Sequence, residues 1–200
     1  MDIVEKVLQL KQDFDDVYEA GKSAGGSDNF YDTFWDNYQD YGDRTNYERG
    51  FWGSYWNENN FKPKYPLKPI NASSMFQDCL MPELNYTLDL SECTNAGTIF
   101  AYADTITIKD LIVNENLSLE NSFRACYQLV NLGIRGTIGK SISLNWSKNL
   151  SDESVNKVIG CLKDLTGQTA ETLTVHKTVG EKLTDTQKAT ITAKNWILSY

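Results

Sequence analysis

The side chains able to do chemistry in this chain are few, and their spacing does not suit catalysis. The single histidine, His176, ends a strand-like run beside Lys177 with no cysteine or carboxylate cluster near it, so it reads as a surface or hydrogen-bonded histidine rather than a base or a metal ligand. Cys79, Cys93, Cys126 and Cys161 form no Cys-x-x-Cys pair; buried thiols packed as small hydrophobes are expected, not a zinc site or a disulfide framework. Asp13, Asp15 and Asp16, and the series Asp28, Asp32, Asp36, Asp40, could suggest calcium. The second series recurs once per helical turn, however, which is the spacing of a solvated acidic face. No Gly-x-Ser-x-Gly elbow, phosphate loop or His-with-acid spacing occurs, which argues against hydrolase and nucleotide chemistry. No metal and no other cofactor is expected. Sites of the Asn-x-Ser/Thr type, such as Asn71-Ala72-Ser73, are expected by chance in an Asn- and Ser-rich chain.

What remains is the chemistry of rings. Residues 30–65 hold 13 of the 24 aromatic residues and too few aliphatic ones for a core of their own. Tyr31, Phe34, Trp35, Tyr38 and Tyr41 fall at helical spacing before Gly42. The segment reads either as a cap, with Phe34, Tyr38 and Phe51 covering the first repeat, or as a platform of exposed rings for a sugar or a protein surface. Trp35, Trp52, Tyr55 and Trp56 are too many for one short cap and are the candidate binding residues; Trp52 and Trp56 share a face if helical.

A recurring phrase sets the elements that must position these rings. Ser74-Met75-Phe76-Gln77-Asp78-Cys79, Thr98-Ile99-Phe100-Ala101-Tyr102-Ala103 and Asn121-Ser122-Phe123-Arg124-Ala125-Cys126 place a Phe three residues before Cys or Ala, at steps of 24 and 23 residues. That period marks a leucine-rich-type solenoid. Each phrase is followed by an alternating run, 84–90, 105–112 and 129–138, that reads as a strand of one parallel sheet, with 141–146 continuing the ladder. Ser151 opens a helix with Val155, Val158, Ile159, Leu162 and Leu165 as its stripe. Thr172–Val175 is a strand, Thr184-Asp185-Thr186-Gln187 a capping box opening a last helix, and Trp196–Tyr200 a closing strand. The expected fold is therefore α/β and strand-rich, a repeat solenoid with a parallel sheet, an N-terminal helix and a helical C-terminal cap.

Ahead of the repeats, Ile3, Val7, Leu10, Phe14 and Val17 make a seam of two and a half heptads in a helix over 1–20. It is too short to stand alone, leaving self-association into a homo-oligomer or docking in cis. A flexible link runs to residue 27. Lys62-Pro63-Lys64-Tyr65-Pro66-Leu67-Lys68-Pro69 is an extended lead into the repeats. The units are then 1–27, helix and link; 28–69, aromatic cap; and 70–200, solenoid with its C-terminal cap.

Charge is lopsided. Residues 1–60 carry 13 acidic against 5 basic side chains, and the remainder balances, which argues against nucleic acid or an anionic membrane as partner. No run is apolar enough to insert in a membrane, and Met1-Asp2-Ile3-Val4-Glu5 does not open as a signal peptide. A protein made in the cytoplasm is expected, virion-associated or exported by a non-classical route.

The Ser74-Met75-Phe76-x-x-Cys79 and Ser122-Phe123-x-x-Cys126 phrases, each with a Leu-x-x-Leu strand behind it, resemble the BspA-like leucine-rich repeats of bacterial surface proteins and prophage-encoded proteins. The run from Tyr31 to Tyr47, with Phe61-Lys62-Pro63-Lys64-Tyr65, is similar to a leader that precedes such repeats in proteins of gut bacteria and their phages. Together they cover about residues 28–200; Ala103 departs from the pattern, standing where the other copies have Cys. The resemblance implies a right-handed solenoid used for adhesion or recognition, with no catalytic residues. The expected function is non-enzymatic, a recognition, adhesion or structural module such as a phage tail-associated or surface-associated protein, with a protein or glycan surface as partner. The alternative is a carbohydrate-active enzyme using a carboxylate pair.

Overall fold

Leu and Ile alternating with polar residues at a 24-residue step give three parallel strands: β1 (Glu83–Asp89), β2 (Thr107–Val113) and β3 (Asn131–Gly136), hydrogen-bonded in that order. The computed structural model describes residues 50–53 and 67–200. The expected helices over 1–20 and 31–41, the link between them and most of the proline-rich lead lie outside those residues.

The register of this sheet is not uniform. Leu84, Ile108 and Leu132 pair across it, and so do Leu88, Leu111 and Ile134. These two inward contacts are four residues apart in β1, three in β2 and two in β3, so a bulge between each pair of strands removes one residue at a time. All six side chains are buried. The narrowing leaves no room at Gly133, where a Cβ would lie 1.9 Å from the Lys109 carbonyl oxygen.

The Phe phrases form turns that stack behind this sheet. Rings of Phe76 and Phe100 lie 5.5 Å apart and those of Phe100 and Phe123 5.8 Å apart, with interplanar angles of 4° and 14°. All three side chains are fully buried, each contributing roughly 2 kcal/mol by burial and up to about 1 kcal/mol more by stacking. A further copy precedes them. Phe51, 25 residues before Phe76, stacks on its ring at 5.2 Å. The turns are joined by amide ladders: Phe51 N donates to Met75 O (2.8 Å), Phe76 N to Ile99 O (2.8 Å) and Phe100 N to Ser122 O (2.9 Å). The residue two after each Phe has a left-handed backbone: Gly53 (φ 67°), Asp78 (57°), Tyr102 (60°) and Ala125 (56°).

Beyond β3 the pattern changes. The 141–146 run was expected to extend the first ladder; instead β4 (Ile142–Leu144) begins a second parallel sheet with β5 (Glu171–Val175) and β6 (Trp196–Ser199). The flank of β3 is taken by helix α1 (Asp152–Cys161), capped by Ser151. Ser154 Oγ accepts from Leu132 N (2.8 Å) and donates to Val130 O (3.2 Å), so a side chain satisfies strand groups that another strand would otherwise pair. Helix α2 (Lys177–Gly180) follows β5, and α3 (Asp185–Ala193) packs on α1. In the second sheet only the first step is longer: Ile142 pairs with Leu173, 31 residues on, and Leu173 with Leu198, 25 residues on.

The described residues are thus mixed α/β, with two parallel sheets, few helices and no closed barrel. The helical cap expected at the C-terminal end is not evident: α3 has a single buried residue, Ile191, lies beside α1, and hands the chain to β6 as the last element.

Candidate functional site

Four exposed side chains make two ring contacts on neighbouring stacked turns. Tyr102, on the Phe100 turn, lies under the Arg124 guanidinium of the next turn, 5.6 Å from its carbon to the ring centre. On that same second turn Tyr127 meets Trp146 edge-on, at 5.6 Å and 88°. One backbone and one side-chain bond hold the three turns in line: Tyr102 N donates to Arg124 O (2.7 Å), and buried Ser147 donates from Oγ to Cys126 O (3.2 Å), locking the turn that carries Trp146. Tyr102, Tyr127 and Trp146 remain 47%, 53% and 39% exposed.

Of the candidates named from the sequence, Trp35, Tyr55 and Trp56 lie outside the described residues, as do the seam residues Ile3, Val7, Leu10, Phe14 and Val17. Trp52 is described. It sits in a turn, not a helix, directly after Phe51, and its Nε1 donates to Asp78 Oδ2 at 2.8 Å. It therefore lies on the same turn edge, nearer the chain's start. Tyr102, Tyr127 and Trp146 were not among those candidates, although Tyr102 stands at an outward place of the Phe100 phrase and Tyr127 directly after the Phe123 phrase.

Several titratable groups are engaged in structure. His176 caps α2, its Nδ1 accepting from Thr178 N at 3.2 Å. Cys79 and Cys126 donate their thiols to the carbonyls of Phe51 (2.7 Å) and Phe100 (2.9 Å), the preceding ring in each case. Burial pushes the Cys126 thiol up to about 12, so it stays protonated. On the outer face of the first sheet Arg135 grips Asp110 with two bonds, Nε to Oδ1 at 2.8 Å and Nη2 to Oδ2 at 3.0 Å, while Thr87 Oγ1 donates to Oδ2 at 2.8 Å. The Arg135 bonds hold Asp110 below the usual carboxylate range. In the second sheet Glu171 Oε2 accepts from Ser141 Oγ (2.6 Å) and Ser141 N (2.9 Å), and these bonds lower its pKa likewise. A groove of about 400 Å³ between α1 and α3 is lined by Asn156, Ile159, Thr184, Thr186, Gln187 and Thr190, none of which titrates near neutral pH. Among the described residues no three His, Cys, Asp or Glu side chains converge to hold a metal, and no helix is long and apolar enough to cross a membrane.

No family model, curated protein or solved structure matches the chain.

Proposed function

We propose that this chain is a non-enzymatic recognition module, a right-handed leucine-rich-repeat-type solenoid of the BspA-like kind that presents its turn edge to an external surface. The stacked Phe51, Phe76, Phe100 and Phe123 rings and the ladders between their turns support the solenoid reading. The observation that carries the function is the two exposed ring pairs on neighbouring turns, Tyr102 with Arg124 and Tyr127 with Trp146. Tyr, Trp and Arg are the residues that dominate binding energy at protein surfaces, and here they are gathered without being buried. Trp52 extends the same edge toward the aromatic leader. Such a module suits a phage tail-associated or surface-associated protein, where a rigid rod must hold a few contact groups in register.

The test is to apply the full chain, wild type and a Tyr127→Ala/Trp146→Ala double variant, to arrays of glycans and of immobilised proteins, alongside a screen for released reducing sugar. Retention by an arrayed surface that the double variant loses, with no turnover, is the expected result. Release of reducing sugar from any glycan, or capture indifferent to the double variant, would end this reading.

A further inference from the structure

Resting on that recognition reading, the geometry points to a carbohydrate chain, not a protein, as the ligand of the turn edge, stacked on Tyr102, Tyr127 and Trp146. Size is the first argument. A stable protein partner covers roughly 800 Å² on each side. Three half-exposed rings offer on the order of 300 Å², given about 200 Å² for a whole aromatic side chain. The rings come from three successive turns, so they are spaced along the stack, as the units of a linear ligand are.

Polar groups flank the rings in the way a sugar requires. Asp104, Gln128 and Asn145, all exposed, stand within two residues of Tyr102, Tyr127 and Trp146 respectively. A sugar would stack on the Tyr102 face away from Arg124 and on the faces that the perpendicular Tyr127–Trp146 pair leaves open, with a carboxylate or amide close in sequence to meet its hydroxyls. The rings are also pre-oriented, Tyr102 by the guanidinium above it and Tyr127 and Trp146 by each other, which spares the ordering cost of binding.

Tyr102 supplies an independent observation. Its φ of 60° is shared with the matching places of the other turns, Gly53, Asp78 and Ala125, so the left-handed backbone belongs to the turn and Tyr102 is the bulky side chain placed on it. Glycine adopts that backbone freely and aspartate tolerates it, whereas a tyrosine is strained there. With its ring 47% exposed, Tyr102 gains little from burial to offset that strain. Among the four residues at this place only Tyr102 carries a ring, and that ring stands half out of the fold, open to contact from outside.

The experiment uses the full chain on an array of neutral and acidic oligosaccharides, followed by calorimetric titration with the most strongly retained one. Trp146→Ala and Tyr127→Ala should each weaken binding by at least about tenfold with an unchanged melting temperature. Tyr102→Gly should weaken it by about fivefold while the melting temperature stays level or rises, an outcome that a purely structural tyrosine would not give. The wild type's tryptophan emission should shift on titration, and Trp146→Ala should lose that shift. Binding of no oligosaccharide, or binding unaltered in all three variants, overturns the inference. If the protein array retains the chain through Tyr127 and Trp146 while no oligosaccharide does, the carbohydrate assignment falls and the recognition reading stands. If neither array responds to those residues, both fall.

Discussion

The two halves of the described chain solve the same packing problem with different elements. Around β1–β3 the layers recur at 23 or 24 residues, each with a Phe ring at its turn and a strand at its flank. Around β4–β6 the strands move to the other sheet, helices α1 and α3 take over the flank, and no aromatic stack continues. In the first half, Phe sits on Phe and Leu or Ile on Leu or Ile, so stability is shared between neighbours. In the second, single side chains with particular partners fasten elements that do not repeat. The exposed rings cluster where the regular half ends, on the Phe100 and Phe123 turns and the turn after them.

The comparison is broken most severely by removing the middle ring. Phe100→Ala leaves a void between Phe76 and Phe123 and should cost about 3 to 5 kcal/mol in denaturant unfolding, with hydrogen-exchange protection falling in both adjacent turns. A cost under about 1 kcal/mol would mean that the stack does not hold this half together.

In the second half the matching weak point is one lysine. Lys194, just past α3, sends Nζ to Leu162 O (2.7 Å) and Ile159 O (3.1 Å), closing carbonyls at the end of α1. Replacing it with Met keeps the stem and removes the donor. The expected loss is about 2 kcal/mol, with protection lost at the end of α1 and retained in β1–β3. Equal loss of protection in both halves would show that they unfold as one unit and weaken the contrast.

How much of this was legible in the sequence follows the same division. The Phe period and the alternating runs located β1, β2 and β3 to within a few residues, because both are local patterns. The Ser151 cap and the 155–159 stripe located α1, although Leu162 and Leu165, read as part of its face, are buried just beyond it. Phe51 was assigned to a cap while its place 25 residues before Phe76 went unused. Its neighbour Gly53, at the left-handed position, was the second sign of a further turn. The bulges and the reassignment of 141–146 to a second sheet depend on which distant strand lies alongside, and nothing local encodes that. The ring cluster was overlooked because composition drew attention to residues 30–65, whereas Tyr102, Tyr127 and Trp146 are isolated in sequence and adjacent only once the turns stack.

A smaller effect, of opposite sign, sharpens what regularity costs. Thr105 is buried between the layers of Met81 and Leu129, as the bonds joining Pro82, Ile106 and Val130 indicate, and its Oγ1 has no hydrogen-bond partner. A hydroxyl in an apolar column pays its desolvation without return. Thr105→Val has nearly the same shape and should stabilise the chain by about 1 kcal/mol; a fall in the melting temperature would mean that the hydroxyl is satisfied in solution.

The smallest effect compares the outer faces of the two sheets through pH. The bonds from Arg135 and Thr87 hold Asp110 below its ordinary pKa, and those from Ser141 and Lys140 do the same for Glu171, each against the opposing effect of burial. A carboxylate whose pKa is lowered by folding stabilises the fold above its unfolded pKa, near 4, and that contribution disappears as pH falls through the folded value. Asp110→Asn and Glu171→Gln should therefore lower the urea midpoint at pH 7 and match the wild type once the pH is well below about 4. Salt should separate the two. Arg135 is largely exposed, so 1 M salt should remove most of the Asp110 difference. Glu171 accepts a backbone amide and a serine hydroxyl, bonds that salt screens weakly, and its difference should persist. If both differences vanish together in salt, the Ser141 bonds contribute nothing to stability, and the second sheet is held at its edge by the Lys140 charge alone.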